Sequence, residues 1–296
     1  MKPAFRGLLV VVAGSVLLAG CTGDPDPGPT TESPTEAVAE GGRYVALGDS
    51  YTAGPRLGVT TGAQGCEQTA GNYPHLLADR LGLELTDVSC GGATSESLTA
   101  SQTPPNGAPV PPQLDALTAD TDLVTLSIGG NDGKAFGTLV TTCVGLALKD
   151  RQGAPCAELG DQARDGLGSQ VTTLARRLGK AVKKIRERAP KARIVMVGYP
   201  QMFPASGTCD LLPLAKGDYP FARDLIERVV QAQQDAATEA GIDYVDVWTA
   251  SEGHDICSAD PWVAGLVPAE RALEYHPYAQ EQQVVADLLE ELLAGS

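Results

Sequence analysis

Five stretches of the chain, residues 44–47, 83–88, 123–128, 193–197 and 244–247, are nearly uninterrupted runs of apolar and β-branched residues. Runs that do not alternate with polar positions predict strands buried on both faces, as in a parallel sheet. Helical spacing lies between them. Val171, Leu174, Leu178, Val182 and Ile185 recur on one face and predict a helix over 161–188, closed by Pro190. Shorter helical patterns cover 74–81 and 282–293. Strands alternating with helices predict an α/β fold, a parallel five-stranded sheet covered on both faces in a three-layer α/β/α sandwich. Long loops rich in Gly, Pro and Thr interrupt the pattern at 54–71, 101–112 and 201–219. A fourth, 141–160, is bracketed by Cys143 and Cys156. Arg176, Arg177, Lys180, Lys183 and Lys184 fill the polar side of the long helix and are expected to be a solvated face.

The first 42 residues follow a different pattern. Lys2 and Arg6 precede an apolar and small-residue run over 7–20, too short to span a bilayer comfortably. Residues 1–20 are expected to be a signal peptide. The run ends in Leu18, Ala19, Gly20 and Cys21, which resembles a bacterial lipobox. That resemblance implies acylation of Cys21 and a lipid anchor on the outer face of the cytoplasmic membrane. Residues 21–42 are dominated by Pro, Thr, Gly, Asp and Glu and are expected to be a disordered tether. Residues 43–296 then form one domain. The expected membrane attachment is through the N-terminal lipid alone.

The formal charge is −15, and removing Lys2 and Arg6 with residues 1–20 takes it to −17. That charge disfavours nucleic acid as a partner. Beyond Cys21 there are six cysteines, an even set, which in an exported chain suggests disulfides with fifteen formal connectivities. Sequential pairing is expected, Cys66–Cys90, Cys143–Cys156 and Cys209–Cys257, each closing a loop. No spacing suits a metal site.

Candidate chemistry sits at three points. Ser50 follows the first apolar run and precedes a helical start, so its hydroxyl is expected at the carboxyl edge of the sheet, where open α/β folds place ligands. A helix N-terminus there also offers unpaired N–H groups to a developing anion. The competing role is a simple helix N-cap. Asn131 follows the third run, in a Gly-Gly-Asn-Asp segment where it is either an oxyanion donor or a turn residue. His276, before Pro277 and the last helical stretch, is the expected general base. His75 and His254 read as a surface residue and a hydrogen-bonded loop residue.

Four segments carry a family resemblance: 44–54 (YVALGDSYTAG), 89–94 (SCGGAT), 127–132 (SIGGND) and 276–280 (HPYAQ). In this order the chain resembles the SGNH, or GDSL-type, hydrolases, and most the secreted actinobacterial esterases and lipases, over about residues 43–293. The resemblance implies a flavodoxin-like sheet and an extracellular carboxylic-ester hydrolase working through an acyl-serine, with no cofactor. Ser50 would be the nucleophile and His276 the base. The Ser50 N–H, the Gly92 N–H and the Asn131 side chain would form the oxyanion hole, with Gly91 a close rival to Gly92. Asp49 and Asp132 would organise loops rather than carry protons. Most relatives place an aspartate three residues before the histidine, where this chain has Leu273. The histidine is therefore expected to be oriented by the Leu273 backbone carbonyl or by Glu274. The expected substrate is an acyl ester of a lipid, with an acetylated cell-wall glycan or a non-catalytic binding module as alternatives, and the protein is expected to be a monomer.

Overall fold

The computed structural model describes residues 38–295. The signal peptide, Cys21 and the tether up to residue 37 lie outside the described residues. Residues 38–42 belong to the fold rather than to a disordered tether: Val38 packs against the core, and Gly41 donates to the Gly82 carbonyl at 2.8 Å.

The sheet contains β1 (Arg43–Gly48), β2 (Glu84–Asp87), β3 (Leu123–Ser127), β4 (Arg193–Val197) and β5 (Asp243–Val245). Its order is β2-β1-β3-β4-β5 and every pairing is parallel. The five principal helical segments are α1 (Ser50–Ala53), α2 (Tyr73–Leu81), α3 (Gly160–Arg188), α4 (Tyr219–Ala240) and α5 (Ala279–Ala294). The three-layer sandwich follows from the pleat. Val45 and Leu47 of β1 face a core shared with Leu174, Leu178 and Val182 of α3 and Ile226 and Val229 of α4. Tyr44 and Ala46 point the other way, into a core with Leu77 of α2 and Val285 and Leu289 of α5. Among the described residues, no helix is long and apolar enough to cross a membrane.

Two expectations are corrected and one helix is added. β2 is not buried on both faces, because it is an edge strand whose residues are alternately exposed and half-buried. The fifth strand ends at Val245. Asp246 then caps a short helix over Val247–Ala250, its carboxylate accepting from the Thr249 N–H at 2.9 Å. Helix α4, after the 201–219 loop, is absent from the sequence expectation, although Pro220 near its start, the spacing of Leu225, Ile226, Val229, Ala236 and Ala237, and Gly241 at its end all mark it.

The sheet order reverses direction between β1 and β3, which open α/β folds use as a ligand crevice at the carboxyl ends of the strands. Three bridges tie down the loops: Cys66–Cys90, Cys143–Cys156 and Cys209–Cys257.

Candidate active site

Ser50 stands where β1 passes into α1. Asp49 caps that helix, its carboxylate accepting from the Tyr51 N–H at 3.0 Å. So the capping role belongs to Asp49, which leaves the Ser50 hydroxyl for other work. Gly48 is constrained by space: a Cβ there would lie 2.1 Å from the Thr52 hydroxyl oxygen and 2.7 Å from the Ser127 carbonyl. Its peptide is held from the side by Gln113, which accepts from the Gly48 N–H at 2.9 Å and donates to the Gly48 carbonyl at 2.8 Å.

The Ser50 Oγ lies 2.8 Å from His276 Nε2. His276 Nδ1 lies 2.8 Å from the Glu274 backbone carbonyl. A carbonyl can only accept, so Nδ1 carries the proton and Nε2 presents its lone pair to the serine. This corrects the expected orienter. The Leu273 carbonyl accepts from the backbone N–H of His276 at 3.1 Å and does not meet the ring. The Glu274 carboxylate faces Arg56 at 3.6 Å rather than the imidazole. The physical reason is Tyr275, whose φ of +62° turns the chain so that the carbonyl two residues before the histidine reaches its ring. A left-handed tyrosine is uncommon and strained. The Tyr51 hydroxyl donates to the Tyr275 carbonyl at 2.8 Å and so holds that turn to the nucleophile helix.

Burial of the imidazole pushes the His276 pKa down to about 4, against the opposing effects of the Glu274 carbonyl and carboxylate. Arg56 adds to the depression. The base is therefore neutral at pH 7. The other two histidines are engaged elsewhere. His75 Nδ1 meets the Asn72 side-chain oxygen at 2.7 Å, and His254 stacks on Trp262 with ring centres 4.2 Å apart.

Asn131 follows β3, and its side-chain nitrogen donates to the Ala93 carbonyl at 3.0 Å. That bond brings the Gly92–Ala93 segment beside it. The two adjacent glycines differ in their backbone bonding. Gly91 donates its N–H to the Cys66 carbonyl at 2.9 Å, whereas Gly92 has φ +73° and donates to none of the described backbone carbonyls. The Cys66–Cys90 bridge fixes this segment under the loop that follows α1.

Two buried carboxylates tie the segments together. Asp49 accepts from the Tyr199 hydroxyl at 2.6 Å, and the Tyr199 oxygen accepts from the Gly130 N–H at 3.0 Å. Burial raises the Asp49 pKa to about 7, with the Tyr199 and Tyr51 hydrogen bonds acting against it. Asp132 accepts from the Ser95 N–H at 2.8 Å and the Ser95 hydroxyl at 2.5 Å, joining the glycine and asparagine segments. Arg177 is the exception to the solvated basic face, since it lies 3.5 Å from the Asp132 carboxylate.

Ser50 and Asn131 line a cleft of about 300 Å³, including its opening to solvent, whose walls are Tyr51, Phe136, Tyr199, Met202, Ile226 and Val229. Most of the lining side chains are apolar, with Asp49, Ser50 and Asn131 the polar exceptions. Among the described residues, no group of three or more His, Cys, Asp or Glu side chains is placed to hold a metal ion. Tyr51, Phe136, Tyr199 and Met202 escaped the sequence reading, yet Tyr51 adjoins Ser50, and Tyr199 and Met202 follow the carboxyl end of β4.

An α/β sheet with a serine and a neutral imidazole joined at its crevice is the arrangement of a serine ester hydrolase. The chain matches the GDSL-like Lipase/Acylhydrolase family over residues 46–284, and it belongs to that family. It is 38% identical to Lipase 2 of Streptomyces coelicolor over 97% of this chain and 96% of that one. It is 32% identical to a lipase of Streptomyces rimosus, over 81% and 82% of the two chains. Among solved structures it resembles phospholipase A1 from Streptomyces albidoflavus NA297, with a TM-score of 0.69, 28% identity, and coverage of 85% of this chain and 99% of that one.

Proposed function

We propose that this ester hydrolase acts on acyl esters of lipids through an acyl-serine intermediate. The observation that carries the reading is the 2.8 Å contact between Ser50 Oγ and a neutral, carbonyl-oriented His276, made at the wall of an apolar cleft. Ser50 attacks the acyl carbon while His276 Nε2 takes its proton. The Ser50 and Gly92 N–H groups and the second Asn131 side-chain N–H bind the tetrahedral oxyanion. His276 then returns the proton to the leaving alkoxide and later activates the water that releases the acid. Its Nδ1–H stays on the Glu274 carbonyl, which steadies the imidazolium through its dipole rather than through a charge.

The names of the Streptomyces relatives, lipases and a phospholipase A1, support an acyl-lipid substrate. The apolar cleft wall favours a hydrocarbon acyl group over an acetylated sugar. The lipobox-like end of residues 1–20 supports export and anchoring through Cys21, with residues 21–37 as the tether and the domain acting as a monomer close to a membrane. Hydrolysis of p-nitrophenyl esters from C2 to C16, wild type beside Ser50→Ala, tests the reading. Activity peaking at medium or long chains and lost in the variant is expected. Activity confined to C2 would contradict the lipid substrate.

A further inference from the structure

Arg56 has no part in the proton transfers, yet its position is specific. It follows Ser50 by six residues, in the turn after α1 that the Leu57 N–H closes on the Gly54 carbonyl at 3.3 Å. Its backbone is held at φ +67°, a conformation that costs a residue with a side chain some strain. Its ionic partner is the Glu274 carboxylate at 3.6 Å, beyond hydrogen-bond distance, with both side chains half-exposed. Pairs of that kind contribute little, so the guanidinium can exchange Glu274 for another anion at small cost. The same Glu274 gives its backbone carbonyl to His276, which meets Ser50 at 2.8 Å. Arg56 is therefore linked to the reacting centre through Glu274, and its charge contributes to the depressed basicity of His276. Among the described residues, none of the side chains lining the catalytic cleft is a cation, and Arg56 lies outside that lining. The chain as a whole carries a formal charge of −15, so a cation near the reacting serine is set against a negative background.

We propose that Arg56 is a specificity-determining residue: its guanidinium takes the place of the Glu274 contact with an anionic phosphate adjoining the scissile acyl ester, and so selects acidic lipid esters over uncharged ones. This rests on the acyl-lipid reading of the site. The planar fork of an arginine suits two phosphate oxygens, and its hydrogen bonds to a charged acceptor are stronger than neutral ones. Glu274 acts in the opposite sense, as a competing anion that the substrate must displace.

The test is the ratio of kcat/KM for a short-chain phosphatidylmethanol, which has one negative charge, to that for uncharged dihexanoylglycerol, both kept below aggregation. Using the ratio cancels any effect on His276 or on folding that both substrates share. Arg56→Gln is expected to lower the ratio by about ten-fold or more. Glu274→Gln is expected to raise it. A ratio unchanged in Arg56→Gln, with the wild type cleaving both lipids, would overturn the assignment and leave the lipid reading standing. A wild type that cleaves p-nitrophenyl esters but neither lipid would remove the lipid reading and this assignment together.

Discussion

Ser50 and His276 meet at 2.8 Å but arrive on different kinds of backbone. The serine side is regular structure. A buried parallel strand delivers Gly48, Asp49 caps the next helix, and Gln113 fastens the joint through two hydrogen bonds. The histidine side is irregular. Leu273, Glu274 and Tyr275 form a turn with a left-handed tyrosine, held from across the site by the Tyr51 hydroxyl. The lesson is that the nucleophile is positioned by a fold rule, whereas the base is positioned by a few particular contacts. Damage on the serine side should therefore remove chemistry outright, and damage on the histidine side should degrade its alignment.

The largest expected effect is Ser50→Ala. Loss of the nucleophile should lower kcat by on the order of 10⁶, measured with a soluble ester. Asn131→Ala removes one oxyanion donor and should cost about 10² to 10³ in kcat with little change in KM. A comparable rise in KM instead would make Asn131 a binding or turn residue. Tyr51→Phe breaks the hydroxyl bond to the Tyr275 carbonyl and should cost about ten-fold in kcat. It should also lower unfolding stability by about 1–3 kcal/mol, since a buried carbonyl loses its donor. Equal stability with unchanged kcat would show that the turn holds itself.

The smallest effects are in the pH profile. The imidazole must be neutral to act, and burial pushes its pKa down to about 4, so kcat/KM should stay level from pH 7 to below pH 6. Glu274→Gln should leave turnover near normal at pH 7, because the carbonyl and not the carboxylate orients the ring. It removes a charge that raises the His276 pKa, so the acid limb should move lower. Arg56→Gln removes a charge that depresses that pKa, so the limb should move higher. Limbs moving the same way in both variants would contradict the electrostatic arrangement.

The same contrast explains what the sequence made legible. All five strands begin within one residue of their apolar runs, and β4 coincides with its run; for β1, β3 and β4 burial on both faces leaves the strong pattern. The segments around Ser50, Asn131 and His276 stood out because each follows a strand end or precedes a helix. Helix α4 was missed where a long irregular loop precedes it and small residues such as Ala232, Ala236 and Ala237 dilute its apolar face. The histidine's partner was misplaced by one residue. A backbone carbonyl has no residue type to mark it, and its direction depends on the φ of Tyr275, which no local pattern announces. Arg177 reads as surface in the sequence because its partner, Asp132, is distant in the chain.

The measurement that tests the central claim most directly is covalent labelling at pH 7 with a fluorophosphonate ester, read by intact mass and peptide mapping. A single adduct on Ser50, formed rapidly in the wild type and in Glu274→Gln and strongly slowed in His276→Ala, is the predicted result. An adduct elsewhere, or labelling of Ser50 as slow in Glu274→Gln as in His276→Ala, would contradict a serine activated by a carbonyl-oriented histidine.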